Sequence, residues 1–179
     1  DLLLATATGP YLDEVASGVT VTDLRAGGVI KALPSLVSHL RRARPDVLLT
    51  TLSHTSSVAL AGRALSFTGT PVVVREANTP TAGVQAWASA KDRLENLILH
   101  RTYRAADGVI AVSDGVADAL RSVVGVPAEK IATLYNPVVT RDLPRLASVD
   151  PEHPWLAAGQ PPVVLGVGSL TARKDFYTL

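Results

Sequence analysis

The chain has 179 residues, a formal net charge of +1 and no cysteine. The near-neutral charge and the absence of a long basic run argue against a dedicated nucleic-acid-binding protein, and the absence of cysteine excludes disulfides and thiolate metal sites. Hydrophobic residues make up 47% of the sequence, which is enough for a buried core, and no apolar run has the length of a membrane span.

The first part of the chain alternates short apolar runs with a helical pattern. Residues 2–5 predict a short buried strand, and the alternating residues 19–24 predict a more exposed strand. Apolar residues then recur at helical spacing, with a proline in the first turn and arginines at the end: Leu33, Pro34, Leu36, Val37, Leu40, Arg41, Arg42 and Arg44.

The same alternation continues to residue 135. Strands are predicted at residues 46–50, 72–74, 109–112 and 131–135, and helices at about 53–66, 85–105 and 113–125. Parallel strands need crossover connections of about a dozen residues or more, and these helices supply them. Because such crossovers are right-handed, the sequence predicts an α/β fold, a Rossmann-like parallel sheet with helices on both faces.

Polar residues or glycine follow the carboxyl ends of the predicted strands. In chain order they are His54, Glu76, Asn78, Ser113, Asp114, Asn136, Gly168 and Ser169. Ligands of parallel α/β sheets bind beyond the carboxyl ends of the strands. We therefore expect these residues to share one edge of the sheet, and we expect that edge to be the binding site.

A second strand–turn–helix pattern lies near the end of the sequence. The apolar residues 163–167 predict a strand that ends at Gly168, after which Thr171 can cap a helix with Lys174 in its first turn. Small residues let a phosphate approach, and backbone N–H groups of a helix start can bind it. The proline-rich residues 140–160 are typical of a connector between domains.

Several short motifs occur in an order that is typical of one enzyme family. They are Arg44-Pro45-Asp46 before the third strand, Ala106 to Ser113 (Ala-Asp-Gly-Val-Ile-Ala-Val-Ser), Tyr135-Asn136-Pro137-Val138, and Gly168-Ser169-Leu170 with Lys174-Asp175. Together they resemble the retaining, nucleotide-sugar-dependent glycosyltransferases of the GT-B fold, glycosyltransferase group 1. The departure is Ser169, which stands where the family usually has an arginine that binds the donor diphosphate together with the lysine.

The resemblance implies how the chain is divided into domains. Residues 1–139 correspond to the acceptor-side Rossmann-like domain without its first strand, 140–160 to the interdomain connector, and 161–179 to the start of the donor-side domain. In the usual strand order, 3-2-1-4-5-6, that first strand is central, so we expect a gap between residues 2–5 and 46–50. We expect an excerpt of a longer protein that has no turnover alone and that can self-associate through the gap.

The resemblance also implies a reaction, the transfer of a sugar from a nucleotide-sugar to the hydroxyl of a sugar or lipid-linked acceptor, with retention. It implies no metal or other cofactor, because Lys174 and helix N-termini would meet the phosphate charge. The near-neutral charge predicts no nucleic-acid partner. We expect a cytoplasmic enzyme of bacterial surface polysaccharide or glycolipid synthesis, with peripheral contact at the inner face of the membrane.

Each candidate site residue has a functional interpretation and a structural one. His54 would be catalytic, as a neutral imidazole that hydrogen-bonds the donor at the positive end of a helix, or simply a polar residue at a helix start. Glu76 and Asn78 would bind the acceptor hydroxyl, or Glu76 would pair with a cation such as Arg75 and fix its loop. Asn136 is predicted to shape the hinge.

The resemblance assigns donor binding to Gly168, Ser169 and Lys174. The structural alternative for Lys174 is a solvated lysine in a first helical turn.

A basic stripe on the long helix has two interpretations, contact with anionic lipid or an ordinary solvated face. The stripe consists of Arg93, His100 and Arg104, and the apolar face of the same helix of Trp87, Leu94 and Ile98.

Two other functions share these sequence features. A GT-B sugar-nucleotide epimerase has the same architecture and differs in its donor-side carboxylates. A non-catalytic sugar-binding or assembly subunit is the alternative from another class of protein, and the serine at position 169 keeps this alternative open.

Overall fold

The computed structural model describes residues 1–80, 90–170 and 175–178, with the backbone alone at residues 90–96 and 99. Two units are present, Asp1–Asn136 and Pro137–Leu179. Among the described residues, all paired strands lie in the first unit.

The first two strands pair with each other in parallel. Strand β1 (Leu2–Leu4) aligns with β2 (Val21–Asp23), and a 3-10 turn at Leu12–Glu14 lies between them. Residues of both strands are half-buried or exposed. The predicted strands at 2–5 and 19–24 are therefore confirmed, and each is shorter than the apolar or alternating run that predicted it.

Helix α1 (Leu33–Ala43) follows β2 and packs on the next helix of the chain. Pro34 lies in its first turn, where its missing N–H removes no helical hydrogen bond. Leu36 and Leu40 are buried at 7% and 0% exposure, on the face that the periodicity predicted. Arg44 ends the helix in the left-handed conformation, and its N–H donates to the Leu40 carbonyl at 3.0 Å.

A four-stranded parallel sheet forms the centre of the first unit. Its strands have the order β3-β4-β5-β6, and each pairs in parallel with its neighbour. The elements are β3 (Leu48–Thr51), α2 (Ser53–Ser66), β4 (Val72–Glu76), α3 (Ala90–Ala105), β5 (Gly108–Ala111), α4 (Asp114–Ala119) and β6 (Ile131–Thr133). The predicted Rossmann-like parallel sheet is confirmed, and residues 85–89 of the predicted long helix lie outside the described residues.

The two sheets are separate at the position where the sequence predicted a gap. Within the described ranges, β1 pairs with β2 and β3 with β4, and no ladder joins β1 to β3. The side chains of Val47 and Leu49 at the β3 edge are exposed at 52% and 60%. An unpaired edge with apolar side chains can accept a further strand.

The core lies on the sheet's central strands and on the helices that cover them. The β4 residues alternate between buried and half-buried, so Val72 and Val74 face the core. Their partners include Val109 and Ala111 of β5, Leu120 after α4, and Tyr103 of α3, all at most 1% exposed. Burial of such side chains supplies about 25 cal/mol per Å² of apolar surface, which makes this cluster the main stabilising feature.

Asp107 joins three elements at the amino-terminal edge of this sheet. Its carboxylate accepts a hydrogen bond from the Val72 backbone N–H at 2.8 Å and pairs with the guanidinium of Arg63 on α2. Arg63 also donates to the Ala105 carbonyl at 3.2 Å. The Asp107 side chain thus satisfies the first N–H of a buried strand and holds α2 against it.

In the second unit, residues 163–167 do not form the predicted strand. The regular elements of this unit's described residues are α5 (Leu143–Ala147) and a 3-10 turn at Pro154–Leu156. Val164, Leu165 and Val167 are exposed at 79%, 81% and 82%. The apolar run was correctly identified as strand-like in composition, but a strand requires a hydrogen-bonded neighbour, and the described part of this unit provides none.

We expect Asp107→Ala to lower the free energy of unfolding by about 1–3 kcal/mol, because the buried N–H of Val72 loses its side-chain acceptor. Urea denaturation would measure this difference. The matched control is Asp118→Ala, which removes an exposed pair with Arg121 and should cost less than about 0.5 kcal/mol. Equal losses in the two variants would contradict the role of Asp107.

Candidate functional site

The carboxyl ends of β3 to β6 form one edge of the four-stranded sheet. All four strands run in the same direction, so the residues that follow them lie on this carboxyl edge. The predicted common edge is confirmed in the first unit for Glu76, the last residue of β4, and for the residues that follow the strands, His54, Asn78, Ser113, Asp114 and Asn136.

His54 lies in the first turn of α2, directly after β3. The connecting residue, Leu52, has φ 72° and ψ 134°, a conformation that is ordinarily restricted to glycine. This sharp turn directs the first N–H groups of α2 toward the carboxyl edge, and no side chain caps them. The His54 side chain is exposed, and the structure gives it no hydrogen bond among the described residues.

One buried and one part-buried pair of hydroxyl groups hold α2 in place beneath this turn. Thr50 and Ser56 share a hydrogen bond of 2.6 Å, and Ser56 also donates to the Leu52 carbonyl at 2.9 Å. Ser57 shares a hydrogen bond of 2.8 Å with Thr102 of α3. Satisfied polar groups in a low-dielectric interior fix one geometry, so these pairs set the position of the helix start.

Glu76 is buried and both of its carboxylate oxygens have partners. The Tyr103 hydroxyl donates to one oxygen, and the Asn78 backbone N–H donates to the other at 2.7 Å. Glu76 is 6% exposed. The carboxylate therefore fixes the loop that begins after β4, with Tyr103 in the place of the cation that the sequence suggested. Its predicted contact with an acceptor hydroxyl stays a prediction.

Arg75 lies beside Glu76 in sequence, but successive side chains of a strand point to opposite faces. Its guanidinium donates to Thr51 Oγ1 at 3.3 Å and to Asn136 Oδ1 at 2.5 Å. The side chain therefore joins the end of β3 to the segment that follows β6. Asn136, predicted to shape the hinge, is the last residue of the first unit.

The segment after β6 has a second link to the carboxyl edge. The Tyr135 hydroxyl donates to Asp114 Oδ2 at 2.8 Å, and Asp114 is the first residue of α4. This hydrogen bond and the negative charge of Asp114 raise the pKa of Tyr135 above its ordinary value of 10.0. Ser113 accepts the Val116 N–H at 3.3 Å, so its predicted role as a helix cap is confirmed.

The remaining candidates lie in other places. Gly168 and Ser169 are exposed in the second unit, and Lys174 lies outside the described residues. In the basic stripe, His100 is half-buried and Arg104 is exposed. Ile98, predicted on the apolar face of the same helix, is 46% exposed; the side chains of Trp87, Arg93 and Leu94 lie outside the described residues.

Two further features concern the described ranges as a whole. They contain no group of three or more histidine, cysteine, aspartate or glutamate side chains arranged to hold a metal ion. None of their helices combines the length and apolar character that crossing a membrane requires.

Sequence reasoning missed four side chains that organise this edge. Arg75 was named only as a partner for Glu76, and the polar residues Thr50, Ser56 and Tyr103 were not singled out. A usable signal existed for two of them, because Thr50 and Ser56 are hydroxyl residues within an otherwise apolar strand and helix face. Tyr103 carried no such signal, since its partner is distant in sequence.

The parallel sheet, the crossover helices and the polar carboxyl edge define this chain as a Rossmann-like α/β protein, in agreement with the N-terminal domain of the GT-B fold. The family model described as Glycosyltransferase Family 4 matches residues 3–142, which is most of the chain. The chain therefore belongs to Glycosyltransferase Family 4, and the predicted relationship to GT-B glycosyltransferases is confirmed. No curated protein matches it in sequence.

We expect Tyr103→Phe to lower the free energy of unfolding by about 1–3 kcal/mol, because one oxygen of the buried Glu76 carboxylate loses its donor. Tyr11→Phe is the control, since Tyr11 is 73% exposed and burial contributes little to it. Urea denaturation compares the two variants. If Tyr103→Phe unfolds at the same urea concentration as Tyr11→Phe, Glu76 does not depend on Tyr103.

The raised pKa of Tyr135 gives a prediction about pH. Because the folded pKa lies above the unfolded value, the contribution of this hydrogen bond to stability is complete below about pH 10 and is lost as the pH rises through the folded pKa. Tyrosine-ring NMR titration should show Tyr135 ionising above pH 10, the ordinary value for a tyrosine side chain. In Asp114→Asn the pKa should fall back toward 10; an unchanged pKa would contradict the assigned cause.

Proposed function

We propose that this chain forms the acceptor-binding side of a glycosyltransferase that moves a sugar from a nucleotide-sugar to an acceptor hydroxyl with retention. One observation supports this most directly: in a Family 4 domain, polar groups that follow four parallel strands lie on one carboxyl edge. Ligands of open α/β sheets bind at this edge.

In this proposal His54 interacts with the donor sugar or its departing phosphate. Its exposure leaves the imidazole free to meet a ligand, and its place in the first turn of the 14-residue helix α2 puts it at the carboxyl edge of the sheet. A neutral imidazole can donate a hydrogen bond from one nitrogen and accept one at the other. His54 would thus stabilise charge on the leaving group as it develops.

Glu76 and Asn78 have different parts in acceptor binding. The Glu76 carboxylate is occupied by Tyr103 and by the Asn78 backbone, so we assign it as a positioning residue. The Asn78 side chain is exposed at the same edge, and its amide can donate to and accept from a sugar hydroxyl. Substitution of Glu76 would then weaken acceptor binding indirectly, because Asn78 would lose the hydrogen bond that positions it.

Donor phosphate binding is proposed for Gly168, Ser169 and Lys174, on the resemblance alone. No metal is required in this proposal, because a lysine and helix N-termini can meet the charge of a diphosphate. The donor sugar, a role in bacterial surface polysaccharide or glycolipid synthesis, and a peripheral position at the cytoplasmic face of the membrane are likewise parts of the proposal.

A second function is supported by the serine at position 169. Without the arginine that is usual there, a sugar-binding subunit that does not catalyse transfer is the competing proposal. A sugar-nucleotide epimerase has no observation in the described residues that favours it. Binding without turnover would distinguish the subunit from the transferase.

The test is a transfer assay with the protein at its native length, a panel of nucleotide-sugars and a panel of hydroxyl acceptors. We expect nucleotide release coupled to product formation, and a loss of about 100-fold or more in His54→Ala. His153→Ala, a histidine of the second unit, is the matched control and should keep the full rate.

Three results would decide between the proposals. Full activity in His54→Ala would remove His54 from the catalytic residues. Nucleotide-sugar binding without any product would favour the non-catalytic subunit. Interconversion of the donor sugar without an acceptor would identify an epimerase, and NMR of the product's anomeric proton would test retention.

A further inference from the structure

The side chain of Arg75 is held in one orientation at the carboxyl edge of the sheet. Its guanidinium is held from two sides, by Thr51 at 3.3 Å and by Asn136 at 2.5 Å. An arginine side chain has five N–H donors in a rigid planar fork, and these two hydrogen bonds leave several donors unused. The two hydrogen bonds therefore fix the orientation of the guanidinium but do not use all of its N–H donors.

Both partners of Arg75 are neutral, so its positive charge is not compensated by them. Within the described residues, the arginines at 63 and 121 pair with Asp107 and Asp118, but Arg75 pairs with no carboxylate. The two carboxylates of the carboxyl edge have other donors: Glu76 accepts from Tyr103 and Asn78, and Asp114 accepts from Tyr135.

A second positive feature lies next to this arginine. Thr51, which contacts Arg75, is two residues before Ser53, the first residue of α2. The N–H groups of the first turn of this 14-residue helix have no side-chain cap, and a helix N-terminus carries about half a positive charge. An oriented guanidinium beside such a helix start is suited to an anion with several acceptor oxygens.

We propose that Arg75 binds a phosphate group of the acceptor, so that this glycosyltransferase acts on a phosphorylated acceptor such as a sugar phosphate or a phosphate-linked lipid. The inference rests on the proposed function, because it names the acceptor class for the same edge. Thr51 and Asn136 act as positioning residues that hold the guanidinium toward the ligand. A phosphate at this position would orient the acceptor hydroxyl relative to His54.

The first experiment needs no variant. The arginine Nε–H resonances of the native-length protein are followed by NMR during titration with methyl phosphate, with methyl glucoside as the neutral comparison. We expect the Arg75 resonance to shift and saturate with methyl phosphate and to stay unchanged with methyl glucoside. If the Arg75 resonance does not respond to methyl phosphate, the proposal is wrong.

Variants then test the residue directly. Arg75→Gln should weaken methyl phosphate binding by at least about tenfold, the value of one charge-assisted hydrogen bond. Arg121→Gln, which removes an exposed arginine paired with Asp118, should change binding less than about twofold. Asn136→Ala should weaken binding while keeping the charge, because the guanidinium loses its closest fixed partner. Equal affinity in Arg75→Gln and Arg121→Gln would overturn the assignment.

A donor diphosphate is the other source of the same chemistry. Titration with methyl phosphate in the presence of a saturating nucleoside diphosphate distinguishes them, since an acceptor site stays available and a donor site is blocked. Competition between the two ligands would overturn the acceptor assignment. Phosphate binding at Arg75 with no sugar transfer would instead refute the proposed function and leave the anion site standing.

Discussion

The parallel backbone ladder of β3 to β6 is the constraint on which the rest of this molecule depends. Each of these strands is four or five residues long except β6, which has three, yet their common direction brings groups from residues 51 to 136 to one edge. A single reversed strand would send its following loop to the opposite edge, where Asp107 and Arg63 lie. The hydrophobic core on β4 and β5 stabilises this arrangement because buried apolar side chains lock the register.

The sequence predicted the strands and helices of the first unit, but it did not predict which distant residues bond to one another. Strands and helices of the first unit follow from local periodicity, which needs only neighbouring residues. The hydrogen bond from Tyr103 to Glu76 joins residues 27 apart, and that from Arg75 to Asn136 joins residues 61 apart, so neither is visible in local spacing. The strand expected at residues 163–167 fails for a related reason, since its apolar composition describes one strand and says nothing about a partner.

Residues of a family motif can have an architectural role instead of contacting a ligand. Residues 106–113 form one of the motifs that carry the family resemblance, and within them Asp107 anchors the first N–H of β4 while Ser113 caps α4. These are architectural tasks that any donor or acceptor would leave unchanged. Arg75 belongs to none of the quoted motifs, and its side chain links the end of β3 to the segment after β6 at the carboxyl edge. This family motif therefore supports the architecture, and the link made by Arg75 lies outside it.

The backbone at Leu52 has a consequence for how this protein can be improved in the laboratory. A bulky residue at φ 72° holds a conformation that costs on the order of 1–3 kcal/mol, and the Thr50–Ser56 pair beneath it keeps that conformation in place. Selection for heat resistance would favour glycine there, since glycine adopts this geometry without steric cost. Such a variant would gain stability by removing the steric cost at φ 72°, and the start of α2 would be held less rigidly than it is with leucine.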